Sequence, residues 1–167
     1  GVATPRHGHR RIAALISRPN DQSISQLRYE GYVQALESHG IPVDPELVIS
    51  TGGFGAKDAY RAVQEKMAEN VDFTALFAIA DSMAIGAMRA LMDAGRRIPE
   101  DCSVIAIDGL ELSAYIEPPL TTLCQPMEEM GRRSAEILLD MVRHKGSHAC
   151  ELLPTTLRQG RSVAAPR

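Results

Sequence analysis

Aromatic residues are scarce in this chain, and tryptophan is absent: Phe, Tyr and Trp together make up 4% of the sequence. Stacking platforms for carbohydrate rings are therefore few. A basic excess is also lacking, since the formal net charge is −3 at pH 7. Proteins that bind nucleic acid by themselves usually carry such an excess, because contacts with phosphates supply much of their affinity. The composition therefore argues against DNA binding by this chain alone.

Cysteines and long apolar runs are also few. Cys102, Cys124 and Cys150 form an odd set with wide spacing, which argues against a disulfide framework and favours a reducing, cytoplasmic compartment. No apolar run approaches the roughly 20 residues that a membrane span needs, and the N-terminus shows no signal peptide. The 167 residues suffice for one good hydrophobic core. We expect a globular domain with no membrane partner.

Short apolar runs alternate with segments of helical periodicity. The runs predict strands at 12–17, 46–50, 73–80 and 103–107, and the periodic segments predict helices at about 23–39, 58–69, 81–94 and 127–142. A last strand is expected within 150–157, followed by a mobile polar tail at 158–167. Strands that alternate with helices indicate right-handed βαβ units. The predicted fold class is therefore α/β, with a parallel sheet flanked by helices.

Motifs for catalysis and for cofactors find little support. The sequence contains no GxSxG, and GGFGAK lacks the spacing and the hydroxyl residue of a phosphate-binding loop. His144 and His148, with Cys150 nearby, have a spacing that metal sites use, but they lie at a polar helix end, where solvated histidines are the better interpretation. We predict no metal, no cofactor and no enzyme activity.

Two charged residues are candidates for ligand binding. Asp108 ends the apolar run SVIAI, and ligands of open α/β sheets bind beyond the carboxyl ends of the strands. The alternative is an Asx turn or a helix cap, and the residues alone do not separate the two. Arg28 lies early in the first helix, where its guanidinium could bind a carboxylate or a pair of hydroxyls. A solvated helix arginine is the alternative, and on the residues alone it is favoured.

The predicted helix at 81–94 is apolar on all sides. Asp81 suits its N-cap. One face should cover the sheet, and the second face, with Met83, Ile85 and Met88, implies a partner. We expect this face to form a two-fold interface together with segment 110–116, which contributes Tyr115 and Ile116. Burial of both faces by the chain itself is the alternative.

Several motifs occur in a fixed order between about Gly8 and Asp140. They are GHRRIA, R-x-x-GY, ADSMAIGAMRAL, IPEDCSVIAID, and PPLTTLCQP followed by MGRRSAEILLD. Together they resemble the effector-binding core of LacI/GalR-family transcriptional regulators. The resemblance implies a periplasmic-binding-protein-like sensor of type I, with two lobes around a ligand cleft. It implies the C-terminal lobe at 1–124, a crossover and a helix of the other lobe at 125–148, and a return strand and tail at 149–167.

The resemblance also implies roles for individual residues. Arg28 matches the arginine that clamps the ligand, and Asp108 matches the carboxylate that binds hydroxyl or ring-nitrogen groups. Phe54 matches a loop aromatic that packs on the ligand, and Gln125 matches a glutamine of the crossover near the cleft. The chain has Ala80 where the family commonly has asparagine, so one polar contact of the family is missing.

The function that follows is effector sensing and dimerisation in a LacI-type regulator. The resemblance implies a small effector, a sugar or a nucleobase-like molecule, a homodimer, and operator DNA bound through an N-terminal headpiece that this chain does not contain. The alternative is a periplasmic sugar-binding protein of a transport system. An α/β enzyme ranks last, since the sequence supplies neither a nucleophile nor an acid–base pair.

Overall fold

The computed structural model describes residues 8–18, 24–143 and 150–166, in which strands and helices alternate along the chain. The strands are β1 (Ile12–Ser17), β2 (Val48–Thr51), β3 (Ala75–Ala78), β4 (Ser103–Asp108), β5 (Thr121–Cys124) and β6 (Thr156–Arg158). The helices are α1 (Ile24–Ser38), α2 (Ala56–Ala68), α3 (Asp81–Asp93) and α4 (Met127–Arg143). Short 3-10 turns occupy Pro45–Leu47 and Glu111–Ala114.

The six strands of the described residues form one sheet in the order β2-β1-β3-β4-β5-β6. Neighbours from β2 to β5 are parallel, and β6 pairs with β5 in the antiparallel direction. This confirms the predicted α/β class and adds an antiparallel edge strand. Right-handed crossovers place α1 on one face of the sheet and α2 with α3 on the other. The carboxyl ends of the parallel strands share one edge.

The core lies on both faces of the sheet: one part is between the sheet and the pair α2 and α3, and the other includes Tyr32 and Leu36 of α1. Every residue of β1 is buried, as are the four residues of β3. Helices α2 and α3 approach closely at Gly86, where a Cβ atom would lie 2.0 Å from the carbonyl oxygen of Ala56. A side chain there would force the helices apart, so glycine allows the two helices to pack in contact. Helix α3 is therefore covered on both sides by its own chain.

Strand boundaries differ modestly from the sequence prediction. The run at 73–80 forms a strand only at Ala75–Ala78, because Asp81 begins a helix directly after a short turn. The predicted strand at 46–50 begins at Val48, because Asp44 caps a 3-10 turn by accepting a hydrogen bond from the Glu46 amide at 3.0 Å. Local turn chemistry thus shortens strands that apolar runs overestimate.

The C-terminal tail is fixed to the sheet, which corrects the expectation that it is mobile. Ser162 is fully buried. Its hydroxyl donates to the Val104 carbonyl at 2.6 Å and accepts from the Thr121 amide at 2.9 Å. The Val104 amide donates to the Ser162 carbonyl at 2.7 Å. The polar sequence of the tail did not predict these hydrogen bonds, because the partners of Ser162 lie on strands about 40 to 60 residues earlier.

Helix α4 projects from the sheet, as expected. None of its residues is buried, and its exposed apolar side chains include Met130, Leu138 and Val142. Arg133 binds Glu151 at 2.7 Å, which ties the helix to the segment before β6. Among the described residues, no helix is long and apolar enough to cross a membrane.

Candidate functional site

Asp108 ends β4 in an unusual backbone conformation. Its φ is +142° and that of Gly109 is +81°, both in a region that L residues rarely adopt. A Cβ atom on Gly109 would lie 2.5 Å from the Sγ atom of Cys124 on the neighbouring strand. Only glycine therefore fits there, and we name these two residues the 108–109 bend. The bend turns the chain across β5 at the carboxyl edge of the sheet.

Three of the predicted site residues meet at this edge. The Arg28 guanidinium lies 3.1 Å from Oδ1 of Asp108. The Gln125 amide nitrogen Nε2 donates to the same oxygen at 2.8 Å, and the Gln125 backbone amide donates to the Asp108 carbonyl at 3.1 Å. The second guanidinium nitrogen of Arg28 donates to the Ile79 carbonyl at the end of β3. Strands β3, β4 and β5 and helix α1 thus converge on one polar cluster.

The cluster of Arg28, Asp108 and Gln125 is only partly accessible to water. The side chains of Arg28 and Asp108 are 15% and 18% exposed. Hydrogen bonds between ionised partners are stronger than neutral ones, and partial burial reduces solvent screening. Because the two charges neutralise each other, the cluster offers donors and acceptors without a large net charge. Such a cluster suits a neutral ligand with several hydroxyl or ring-nitrogen groups.

Phe54 lies at the same edge of the sheet but apart from this cluster. It belongs to the loop between β2 and α2, and its side chain is 44% exposed. Its carbonyl accepts a hydrogen bond from the Ser82 hydroxyl at 2.7 Å, which joins the loop to the first turn of α3. Within the described residues, no hydrogen bond or ring contact connects Phe54 with the cluster. Its contact with a ligand stays a prediction.

Asp81 is a residue whose role the sequence analysis missed. Ala80 is the N-cap of α3, and Asp81 is the first helical residue, so the prediction that Asp81 caps the helix is wrong. Its side chain is fully buried and accepts hydrogen bonds from the Leu110 amide, the Ser113 hydroxyl and the Thr122 hydroxyl. The sequence does indicate such a role: a carboxylate inside a long apolar stretch is expected to be buried and to accept hydrogen bonds, because an unpaired buried charge is costly.

The predicted interface residues divide into two groups. Met83 and Met88 are buried inside the chain, because α2 and the sheet enclose α3. This corrects the expectation that their face awaits a partner, since neither side chain reaches the surface. Ile85 and Ile116 are half-buried, and Tyr115 is 77% exposed. Of the five residues predicted at the interface, only Ile85, Tyr115 and Ile116 therefore stay candidates for contact with a partner.

Metal binding has no candidate cluster among the described residues: no group of three or more potential ligands from His, Cys, Asp and Glu occurs there. His144 and His148 lie outside the described residues. Cys102 is buried, Cys124 is half-buried and Cys150 is exposed, and all three are unpaired.

An apolar groove of about 650 Å³ runs beside α1. Its floor consists of apolar side chains of β3, β4 and β5, and Arg28 lies at its end. Tyr32 of α1 borders it, stacked on Phe77 with ring centroids 6.1 Å apart. Apart from Arg28, the groove contains none of the predicted ligand-binding residues. It shows that α1 covers only part of its face of the sheet.

Comparisons with known proteins match this geometry. Residues 5–163 match the model of the periplasmic binding protein-like domain. The HTH-type transcriptional repressor CytR of Escherichia coli K12 is 38% identical over 152 residues, which are 87% of this chain and 44% of that protein. The chain thus spans less than half the length of this relative.

Solved structures give the same result. The transcriptional regulator CelR, solved in complex with cellobiose, superposes with a TM-score of 0.86 and 35% identity over 95% of this chain and 48% of that chain. A dimeric Lac repressor with a C-terminal deletion superposes with a TM-score of 0.89 and 29% identity over 97% and 58%. The fold is that of LacI-type effector-binding regions.

Proposed function

The chain belongs to the family of periplasmic-binding-protein-like domains, with LacI-type transcriptional regulators as its relatives, and on this basis we propose that it is the effector-sensing and dimerisation region of such a regulator. In this proposal it binds a small molecule, a sugar or a nucleobase-like compound, and the longer protein binds operator DNA through an N-terminal headpiece. The protein works in the cytoplasm, where its operator lies.

The observation that carries the proposal is the cluster of Arg28, Asp108 and Gln125. It lies where ligands of open α/β sheets bind, beyond the carboxyl ends of the strands. Its groups are held by the ends of three neighbouring strands, so its geometry is set before a ligand arrives. A preorganised site loses less conformational freedom on binding, which favours affinity for a small polar molecule.

The cleft itself requires a second lobe. The chain covers 44% of CytR, and α4 leaves the sheet at the crossover with its apolar residues exposed. We assign residues 1–124 to one lobe, 125–148 to the crossover and a helix of the other lobe, and 149–167 to the return strand and tail. The polar cluster then faces the second lobe across the cleft, and Phe54 borders the ligand from its loop.

Dimerisation is assigned to an exposed apolar surface next to the 108–109 bend. We call it the 110–116 surface: it contains Leu110, Leu112, Tyr115 and Ile116, and we include half-buried Ile85 of α3 in the proposed interface. In a two-fold dimer the same surface serves both subunits, so one apolar patch suffices. The alternative function, a periplasmic sugar-binding protein, is less well supported because the relatives described above are transcriptional regulators.

Calorimetry on a form of the protein that includes the second lobe tests the effector site. Cellobiose, ribose and adenosine serve as first probes. Asp108→Ala should weaken binding by about 1.5–3 kcal/mol, roughly 10- to 150-fold, the usual loss for a hydrogen bond to a charged group. Asp101→Ala, a carboxylate at the other edge of the sheet, is the matched control and should leave affinity unchanged. Equal affinities for both variants would remove Asp108 from the site.

Light scattering on the same longer protein tests dimerisation. Ile85→Glu places a charge at the proposed interface and should yield monomers. Gln34→Glu is the control, because it adds the same charge at an exposed position of α1, on the other face of the sheet, and this variant should remain dimeric. A dimeric Ile85→Glu protein would move the interface elsewhere.

A further inference from the structure

Asp81 joins segments that are far apart in the chain. Its Oδ2 atom accepts from the Leu110 amide at 2.8 Å and from the Ser113 hydroxyl at 2.7 Å, while Oδ1 accepts from the Thr122 hydroxyl at 2.5 Å. The start of α3, the turn after β4 and strand β5 therefore meet at one buried carboxylate. A carboxylate accepts hydrogen bonds but donates none, so each of its three partners must be a donor.

A cation from the edge strand accompanies this carboxylate. Arg158 of β6 lies 4.0 Å from Oδ2 of Asp81 and donates to the Leu110 carbonyl at 2.8 Å. Leu110 is thus held through both of its backbone groups, the amide by Asp81 and the carbonyl by Arg158. This backbone comes directly after the 108–109 bend.

The bend needs an anchor on each side, because Asp108 holds a positive φ that a residue with a side chain adopts only with strain. On its near side, Arg28 and Gln125 hold Asp108. On its far side, Asp81 holds Leu110. The end of β3 is linked to both sides, since the Ile79 carbonyl accepts from Arg28 and Asp81 follows two residues later.

From this arrangement we infer that Asp81 is a positioning residue: it holds the 108–109 bend in the conformation that presents the Asp108 carboxylate, and it fixes the bend to the 110–116 surface. Loss of Asp81 would release the bend from its far side. The consequence for effector binding rests on the proposed function, whereas the hold on the bend does not.

The reactivity of two cysteines measures whether the bend opens locally or the whole chain unfolds. The Cys124 thiol lies under Gly109, so a bend that lifts will expose it. Cys102 is fully buried, and burial raises the pKa of its thiol to about 12, so it reacts only when the chain unfolds. With Cys150→Ser as the background, the maleimide labelling rates of Cys124 and Cys102 separate local opening from global unfolding.

Asp81→Asn is the principal variant, because the amide keeps the size of the side chain but replaces one acceptor oxygen by a donor. We expect Cys124 to be labelled about tenfold faster, because a hydrogen bond to a charged group no longer opposes opening of the bend. Cys102 should be labelled much more slowly than Cys124 in both proteins, because the bend opens locally and Cys102 reacts only through global unfolding. Asp93→Asn at the other end of α3 is the matched control and should change neither rate. The labelling experiment contains no effector, so a negative result would reject the role of Asp81 without contradicting the proposed function.

Two results would overturn the inference. One is an unchanged labelling rate of Cys124 in Asp81→Asn. The other is labelling of Cys124 in Asp81→Asn at the same rate as Cys102, which would mean that Cys124 is exposed only by global unfolding and that Asp81 stabilises the whole domain and not the bend. Should Asp81→Asn fail to fold, Ser113→Ala removes one of the three donors and should speed labelling of Cys124 by a smaller factor, again with Cys102 labelled much more slowly than Cys124. Equal rates in Ser113→Ala and the parent would also reject it.

Discussion

Helices α3 and α4 are both rich in apolar residues, yet their surroundings are opposite. Helix α3 buries eight residues and leaves one stripe, with Ile85 and Arg89, at the surface, whereas α4 has a well-defined apolar stripe and buries none. The reason is their place in the layers of the fold. The sheet and α2 pack against α3, but α4 leaves the sheet at the crossover, and an ion pair from Arg133 to Glu151 ties it to the segment before β6.

The difference shows what each kind of apolar pattern means. A helix with apolar residues on most of its surface indicates a position between two layers, and here both layers come from the same chain. A helix with one apolar stripe indicates a single contact surface but does not say which segment supplies it. For α4 we assign that contact to the second lobe of the longer protein.

The largest contrast is expected for the same substitution in both helices. Leu91 of α3 is fully buried, and Leu138 of α4 is 62% exposed. Leu91→Ala should lower the free energy of unfolding by about 2–5 kcal/mol, because it removes buried methyl groups and leaves a cavity. Leu138→Ala should change it by less than about 0.5 kcal/mol. Urea denaturation of the two variants measures both. Equal losses would mean that α4 is packed in solution.

The second prediction is that Leu138 of α4 becomes important for stability when the second lobe is present. In a form of the protein that contains the second lobe, Leu138→Ala should cost about 2–3 kcal/mol, because the stripe is then buried. Urea denaturation of the longer protein, with and without the substitution, gives the value. Asp140→Ala on the same helix is the control and should have little effect in either form. A loss below about 0.5 kcal/mol in the longer protein would contradict the assigned role of α4.

The sequence predicted the layered α/β fold well, because strands buried on both faces and amphipathic helices have different periodicities. It also brought Arg28, Asp108 and Gln125 together, through the resemblance of short motifs. That all three meet at one oxygen of Asp108 could not be predicted, because this depends on the register of β4 and β5 and on the bend.

Two errors have one physical cause. Asp81 was interpreted from its sequence neighbours as a helix cap, but its donors lie 29, 32 and 41 residues away. The second face of α3 was assigned to a partner, but Met83 and Met88 are buried within the chain, where α3 packs between the sheet and α2. The local sequence pattern indicates that a side chain must be buried or hydrogen-bonded. The topology determines which other segment buries it or donates the hydrogen bond.

The third prediction uses one glycine from each helix. Gly86→Ala should destabilise the chain by about 1–3 kcal/mol, because its Cβ would clash with the Ala56 carbonyl. Gly131→Ala meets open space and should stabilise α4 by about 0.5–1 kcal/mol, since alanine favours helix. Amide hydrogen exchange resolves both effects: faster exchange in α2 and α3 for the first, and slower exchange in α4 for the second. The same sign of change in both would refute the contrast.

The smallest effect is expected from surface ion pairs at low pH. Hydrogen bonds from Arg97 lower the pKa of Asp101, and a hydrogen bond from Arg133, chiefly, lowers the pKa of Glu136 on α4. Each carboxylate therefore contributes stability that is present above its ordinary pKa near 4 and is lost as the pH falls below it. Both groups are exposed, so salt weakens both contributions.

The two carboxylates should nevertheless differ in what they stabilise. Asp101 joins the turn before β4, so Asp101→Asn should reduce the fall in Tm between pH 5 and pH 2.5, by on the order of 1 °C. Glu136→Gln should leave this fall unchanged, because α4 is outside the packed core, and should instead lower the helix content of α4 at pH 5. Thermal melts followed by circular dichroism measure the first, and amide exchange in α4 measures the second. If Glu136→Gln shifts Tm as much as Asp101→Asn does, α4 unfolds together with the sheet, and the contrast between α3 and α4 fails.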